Sequence, residues 1–106
     1  MQSESTTTLF VYGTLLDPAV QQNVIGRKVN GKRAVLQGFL KTERQFSEGI
    51  YPDLIRKGEG TVEGILLDLT AEELRRCDDY EGNEYRRVLL DTLESGKAWV
   101  YMGRRE

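Results

Sequence analysis

Runs of large apolar residues alternate along the chain with a few segments of helical spacing, and this pattern predicts strands interrupted by short helices. Residues 9–12 are continuously apolar or aromatic, which predicts a short, largely buried strand that Gly13 ends. Asp17 then fits the N-cap of a helix with Pro18 in its first turn, and Gly26 suits the end of that helix. The chain is therefore predicted to open with a strand, a tight loop and a helix.

The pattern predicts three extended segments in the middle of the chain. Residues 34–40 have strand character, and residues 49–57, "GIYPDLIRK", form a second piece that Pro52 places at a sheet edge or a bend. The region up to Gly60 is rich in turn residues. Residues 61–69, "TVEGILLDL", are rich in β-branched and large apolar side chains, which is typical of a strand covered on both faces.

A second helix is predicted after these strands, and its start is the best-marked boundary in the chain. Thr70 and Glu73 have the spacing of a capping box, in which each side chain bonds the backbone N–H of the other residue. Leu69 and Leu74 are placed to form a hydrophobic staple around the same cap.

Two further extended runs follow the second helix. Residues 85–93, "YRRVLLDTL", and residues 97–102, "KAWVYM", are joined by "ESGK", a turn consistent with a β-hairpin. The predicted order is thus β-α-β-β-β-α-β-β, without internal repeats. This order favours an α+β fold in which a small mixed β-sheet or barrel is flanked by short helices.

The length and composition indicate one domain. The chain has 106 residues and a mass of 12.1 kDa, and its 39% hydrophobic and 30% charged residues are ordinary for a globular protein. We assign residues 9–106 to a single domain and residues 1–8, "MQSESTTT", to a flexible tail that lacks the features of a signal peptide. No apolar run approaches the roughly 18 residues of a membrane span. We therefore expect a cytoplasmic protein, and the sequence does not indicate its oligomeric state.

The charge and the absence of histidine narrow the possible chemistry. A net charge of −2 and a pI near 5.3 argue against nucleic-acid and membrane-surface partners. The chain has no histidine and one cysteine, Cys77, so Ser-His-Asp and Cys-His catalysis are excluded and no metal site is expected. Acid–base chemistry must therefore use carboxylates, tyrosines, lysines or bound water.

The second helix carries an anomaly at its end. Leu74, Cys77, Asp78 and Glu81 share one helix face, so a face that starts apolar finishes with carboxylates and aims Glu81 inward. The negative end of the helix dipole, the neighbouring acids and partial burial would all disfavour ionisation there. We therefore expect a raised pKa for Glu81, as a group that must both accept and donate a proton near neutral pH requires.

The alternative interpretation is that Glu81 is a surface acid at a frayed helix end, paired with Arg86 or Arg87. The sequence pattern alone favours this alternative over a catalytic role. The same pattern predicts that the carboxylates of Asp78 and Asp79 are solvated.

The tetrapeptide "YGTL", which comprises Tyr12, Gly13, Thr14 and Leu15, lies between the first strand and the first helix. A glycine at such a corner lets consecutive backbone N–H groups converge, and the resulting concavity binds carboxylates or a developing oxyanion. A plain tight turn is the default alternative.

Five segments of the chain match one protein family in their order and spacing: "FVYGTL" at 10–15, "GIYP" at 49–52, "TVEGILLDL" at 61–69, "DDYEGNEYRR" at 78–87 and "AWVYM" at 98–102. In these segments the chain resembles the gamma-glutamylcyclotransferase-like proteins, which include plant avirulence-induced proteins and gamma-glutamylamine cyclotransferases. The resemblance covers nearly the whole chain after residue 8.

The resemblance implies both a fold and a reaction. The fold is a small mixed-sheet barrel flanked by short helices. In the reaction, the free α-amine of a γ-glutamyl compound attacks its own γ-carbonyl, which closes 5-oxoproline and releases the attached amine or amino acid. The family's acid–base glutamate corresponds to Glu81, and its substrate-binding loop corresponds to Tyr12, Gly13, Thr14 and Leu15.

This reaction needs a base, an oxyanion site and an acid, which one glutamate and backbone donors can supply without a metal or a cofactor. We expect Tyr51 and Tyr85 to line the substrate cavity, with Tyr101 a further candidate, and a packing role is the alternative for each. The expected partner is a small γ-glutamyl substrate. The competing hypothesis is a non-catalytic module of the same fold that binds a small molecule or docks a partner.

Overall fold

A computed structural model describes residues 5–46 and 49–104. Within these residues the chain forms five strands, two α-helices and one 3-10 turn. In chain order the elements are β1 (Thr6–Val11), the 3-10 turn (Thr14–Leu16), α1 (Pro18–Val24), β2 (Lys32–Phe46), β3 (Gly49–Thr70), α2 (Ala71–Glu81), β4 (Tyr85–Thr92) and β5 (Gly96–Gly103).

The five strands close into a barrel in the order β1-β3-β2-β4-β5. Neighbouring strands are antiparallel except β1 and β5, which run parallel where Leu9 pairs with Trp99. The mixed sheet and the two short helices confirm the predicted α+β fold. No helix among the described residues is long and apolar enough to cross a membrane.

The two strands predicted on either side of Gly60 are in fact one strand, β3, which spans 22 residues. The prediction of a turn-rich region was wrong, because residues 56–60, "RKGEG", are extended and belong to β3. The pairing with β2 shifts register here, since Arg56 pairs with Phe39 and Thr61 pairs with Gln37. Gly38, which lies between these two residues of β2, takes a positive φ of 92°. A Cβ on Gly60 would lie 2.3 Å from the carbonyl oxygen of Phe39, so this glycine permits close strand contact rather than a turn.

Strand β1 begins at Thr6, three residues earlier than predicted, and ends at Val11. Residues 6–8 pair with the end of β3, and the Thr8 hydroxyl donates to Asp68 Oδ1 at 3.1 Å. These residues therefore belong to the barrel rather than to a tail. Residues 1–4 of the predicted tail lie outside the described residues.

Local sequence signals placed both helices correctly. Asp17 caps α1 by accepting a hydrogen bond from the Ala19 N–H at 2.9 Å. Thr70 and Glu73 form the complete capping box at the start of α2. The predicted hairpin between β4 and β5 is also present, and its turn includes Gly96 with a φ of 79°.

Two apolar layers hold the barrel and the helices together. The barrel interior is filled mainly by Phe10, Leu36, Phe39, Leu54, Val62 and Val100. A second layer between the barrel wall and the helices contains Leu9, Leu15, Ile25, Leu67, Leu69, Leu74 and Cys77. Because Leu15 and α2 share this second layer, the loop after β1 is packed beside the helix that carries Glu81.

Candidate active site

One cavity of about 460 Å³ opens where the loop after β1, the end of α2 and the tip of the β2–β3 hairpin meet. The seven residues predicted for the site all line it, and so does Tyr101: the seven are Tyr12, Gly13, Thr14, Leu15, Tyr51, Glu81 and Tyr85. The cavity thus brings together predicted site residues that are up to 73 positions apart in the sequence, from Tyr12 to Tyr85.

The loop at Gly13 lines the cavity and contains backbone N–H groups without internal acceptors. Its turn is closed by Leu16 N–H to Gly13 O and Asp17 N–H to Thr14 O, both at 3.0 Å. Among the described residues, no hydrogen bond is donated by the amides of Gly13, Thr14 or Leu15. These amides are therefore available to an anion, as the corner was predicted to allow.

A buried glutamine holds this loop in place. Gln21 of α1 donates its Nε2 to the Leu15 carbonyl at 2.8 Å and accepts the Val29 N–H on its Oε1 at 2.9 Å. A Cβ on Gly13 would meet the Pro52 side chain at 3.4 Å, and the φ of Gly13 is −127°. Glycine here keeps the cavity wall open, whereas the turn itself does not require a left-handed residue.

Glu81 is the last residue of α2 and lies partly buried in the cavity wall. Burial raises the pKa of Glu81 to about 7, as the sequence predicted. Three causes were expected, namely burial, the helix end and the neighbouring acids. Removal of water from the carboxylate on burial accounts for the pKa shift. The alternative pairing with Arg87 is not formed, since Arg87 binds Asp78 instead.

Asp78 is only partly exposed and its carboxylate is paired, whereas the prediction was a solvated carboxylate. Its carboxylate accepts two hydrogen bonds from Arg87, at 2.7 and 3.1 Å, and one from the Tyr101 hydroxyl at 2.6 Å. Asp79, the next residue, is exposed as predicted. The sequence could not indicate the difference, because both partners of Asp78 come from the sheet.

The predicted tyrosines both line the cavity and bond to the fold. Tyr85 donates its hydroxyl to the Pro52 carbonyl at 2.5 Å, and its ring lies 5.0 Å from that of Phe46. Tyr51 is exposed at the cavity mouth, with its ring 6.3 Å from the Phe46 ring. Tyr85 therefore both lines the cavity and packs against the fold, so the two interpretations apply to it at once.

Tyr12 and Tyr101 link two walls of the cavity. The Tyr12 hydroxyl donates to the Tyr101 carbonyl at 2.5 Å, and both residues are buried. Burial raises the pKa of Tyr101 well above its ordinary value, with the hydrogen bond to Asp78 acting in the same direction. Tyr101 is therefore a neutral phenol at any physiological pH.

Sequence reasoning missed Tyr80, which also lines the cavity. Its hydroxyl lies 2.7 Å from Thr14 Oγ1, so it joins the end of α2 to the loop after β1. The signal that could have found it is its position three residues after the buried Cys77, a spacing that places side chains on adjacent parts of one helix face.

The charged side chains that line the cavity, among the described residues, are Glu81 and Glu84. The same residues contain no group of three or more His, Cys, Asp or Glu side chains suited to hold a metal ion. The lining of the cavity thus includes a carboxyl group whose pKa is raised to about 7 and residues whose backbone amides have no internal acceptor. This combination can move protons beside a carbonyl and stabilise an oxyanion.

The chain matches a family model described as gamma-glutamyl cyclotransferase, AIG2-like, over residues 9–106. Among curated proteins, AIG2-like protein C of Arabidopsis thaliana is 34% identical over 100 residues, which cover 89% of this chain and 57% of the relative. AIG2-like protein A of the same plant is 36% identical over 91 residues, covering 85% and 54%. The chain thus spans about half the length of the curated relatives it matches.

Solved structures are similar over nearly the whole chain. The solution structure of an Arabidopsis thaliana protein matches with a TM-score of 0.80 at 30% identity, covering 96% of this chain and 71% of that one. A gamma-glutamyl cyclotransferase structure matches with a TM-score of 0.76 at 16% identity, covering 95% and 68%. At that identity the second similarity is one of fold alone.

Proposed function

Because the chain belongs to the gamma-glutamyl cyclotransferase, AIG2-like family, we propose that it is an enzyme that cyclises a γ-glutamyl amine or peptide to 5-oxoproline. One observation carries this proposal. Glu81, whose pKa is raised to about 7, shares one cavity with the acceptor-free amides of the Gly13 to Leu15 loop. A proton carrier and oxyanion donors must meet at one carbonyl for this reaction.

In the proposed reaction, the α-nitrogen of the γ-glutamyl group attacks its γ-carbonyl carbon. The new bond between the α-nitrogen and the γ-carbonyl carbon closes the ring, and the bond between that carbon and the leaving nitrogen breaks. Two protons pass from the attacking ammonium to the leaving nitrogen, so the products are a neutral lactam and an alkylammonium ion. Glu81 carries these protons in turn, first as a base and then as an acid.

The raised pKa of Glu81 suits this double role. A carboxyl group with a pKa of about 7 is present in both protonation states near neutral pH. An ordinary glutamate, with a pKa near 4.3, would be almost wholly ionised there and a poor acid. Burial in the cavity wall therefore supplies the chemical property that the reaction needs.

The loop amides stabilise the negative charge of the substrate and of the tetrahedral intermediate. Backbone N–H groups do not titrate, so this contribution is independent of pH. Gln21 fixes the Leu15 carbonyl and hence holds these donors in place before the substrate binds. Such preorganisation is what makes an oxyanion site effective.

A panel of γ-glutamyl amines and peptides, incubated with the protein and assayed for 5-oxoproline by mass spectrometry, tests this function. Glu81→Gln retains the side-chain shape and should lower turnover by about 10²- to 10⁴-fold, with little change in substrate binding. Asp79→Asn, an equal change of charge at an exposed position on the same helix, should turn over normally. Binding without 5-oxoproline from any compound would instead support the non-catalytic module.

A further inference from the structure

The Asp78 carboxylate joins α2 to two neighbouring strands. Arg87 of β4 donates its Nε to Oδ1 at 2.7 Å and its Nη2 to Oδ2 at 3.1 Å. Tyr101 of β5 donates its hydroxyl to the same Oδ1 at 2.6 Å. Arg87 and Tyr101 are direct partners in the β4–β5 ladder, so a single carboxylate binds a cross-strand pair.

The arginine in this group is itself held in place. The Arg87 guanidinium lies over the Trp99 ring, 4.6 Å from its centroid, in the geometry of a cation–π contact. Its planar fork makes both hydrogen bonds to one carboxylate, which fixes direction as well as distance. The Asp78 side chain is therefore anchored to the sheet by a geometrically restricted partner.

The other end of the connection reaches the loop of the candidate site. Tyr101 lines the cavity, and its carbonyl accepts the hydroxyl of Tyr12, the residue that precedes the Gly13 turn. A continuous series of contacts thus runs from the last turn of α2, through β5, to the loop with the acceptor-free amides.

The last turn of α2 needs such an anchor. Glu81 is the final residue of the helix, and the last backbone bond joins the Gly82 N–H to the Asp78 carbonyl at 3.0 Å. Helix ends fray because their final carbonyls lack helical partners, and this last turn contains no basic residue to bind them. Asp78, one turn before the end, ties this turn to the sheet through its side chain.

We propose that Asp78 is a positioning residue for the proposed reaction: by binding Arg87 and Tyr101 it fixes the last turn of α2 and so holds the Glu81 carboxyl group against the cavity. This inference rests on the proposed function, since it takes Glu81 as the proton carrier. Asp78 itself does not line the cavity.

Asp78→Asn weakens the bonds to both strands and should lower kcat by about 10- to 100-fold, because small displacements of a catalytic group are costly. KM should change less, since the loop amides remain. The acid limb of the pH–rate profile should also move to lower pH. A loosened last turn would admit water to Glu81 and so lower its pKa toward the ordinary value.

Other titratable and charged groups near Glu81 could also shift the acid limb of the pH–rate profile. They are Cys77 on its own helix, Tyr85 on β4, Tyr101 on β5, and the charged Asp78, Glu84 and Arg87. Burial raises the pKa of Cys77 to about 12 and raises the pKa of each tyrosine well above its ordinary value. These three side chains therefore stay neutral near pH 7. Asp78→Asn also removes a negative charge and leaves Arg87 without its carboxylate partner, and both changes would lower the pKa of Glu81 through charge alone.

Tyr101→Phe separates position from charge, because it removes one hydrogen bond to Asp78 and no charged group. Positioning by Asp78 requires Tyr101→Phe to shift the acid limb in the same direction as Asp78→Asn. Asp79→Asn is the matched control and should retain the wild-type kcat and pH profile, since Asp79 is exposed one position away.

A readout that needs no substrate keeps this test independent of the proposed function. NMR titration of the ¹³C-labelled Glu81 carboxyl group should show a lower pKa in Asp78→Asn and Tyr101→Phe than in the wild type and Asp79→Asn. If no γ-glutamyl compound is turned over, the proposed function fails while the titration still tests the positioning. An unchanged kcat and Glu81 pKa in Asp78→Asn, even with a lower Tm, would show that Asp78 only stabilises the fold.

Discussion

Glu81 is held in the cavity wall at a cost to the fold, because burial removes water from its carboxylate. Its pKa is raised to about 7 in the folded chain, against about 4.5 for an unburied glutamate. The folded state therefore binds more protons than the unfolded state between these two pH values. Stability is highest below pH 4.5 with respect to this group and falls as the pH rises to 7.

We predict that Glu81→Gln removes this pH dependence. The loss of unfolding free energy between pH 5 and pH 8 should be larger in the wild type than in the variant by about 1 to 2 kcal/mol, less than the full pKa shift implies because Glu81 is only partly buried. Urea unfolding at several pH values measures it. Parallel pH curves for the two proteins would show that Glu81 titrates as an exposed acid.

At the level of single residues, the sequence could indicate the direction of Glu81 but not how its helix end is held. The helical spacing of Leu74, Cys77 and Glu81 predicted an inward Glu81, which lines the cavity, although the pattern alone favoured a surface acid. The partners of Asp78 lie 9 and 23 positions away, and their proximity depends on the pairing of β4 with β5. No local pattern contains that information, so the pairing of the Asp78 carboxylate was not predicted.

At the level of whole elements, the helices could be predicted from local sequence signals, whereas the lengths of the strands could not. Helix caps depend on side chains three residues apart, so the Thr70 and Glu73 capping box could be identified directly. Strand length depends on the partner strand, and the 22 residues of β3 are kept together by β1 and β2. The glycines near position 60 suggested a turn, but the chain stays extended there while its register with β2 shifts.

Gly64 also depends on a neighbouring strand. A Cβ at this position would lie 2.4 Å from the Val11 carbonyl oxygen and 2.5 Å from Phe10 Cζ, so β1 and β3 could not keep their separation. We predict that Gly64→Ala lowers the free energy of unfolding by about 1 to 3 kcal/mol, as overpacking typically does. Chemical denaturation measures this change.

Gly58→Ala provides the control, because it lies in the same strand and nothing is within 4 Å of its Cβ position. It should leave stability nearly unchanged. Because Val11 leads directly into the Tyr12 to Leu15 loop, Gly64→Ala should also disturb the candidate site. Equal stability of the two variants would show that β1 and β3 separate easily at this point.

For the molecule as a whole, the barrel is closed unevenly. Strand β4 pairs with β5 along its full length, whereas it pairs with β2 only at Leu36 and Thr92, beside the Leu93 N–H to Val35 O bond of 2.9 Å. At the cavity end, the Tyr85 hydroxyl binds the Pro52 carbonyl of β3 at 2.5 Å. Between these two points, the described residues show no strand pairing across the β2–β4 boundary.

This uneven closure predicts where the barrel opens first. Amides of β4 should exchange with deuterium faster than those of residues 9–11 in β1, which pair with β3 throughout, because local opening follows the number of bonds that must break. Tyr85→Phe removes the hydrogen bond to the Pro52 carbonyl at the cavity end. This change should speed exchange in β4 further, while exchange in β1 stays the same. Peptide-resolved exchange mass spectrometry measures both. If β4 and β1 are equally protected in the wild type, or if Tyr85→Phe speeds both equally, opening involves the entire barrel and this boundary is not its weak point.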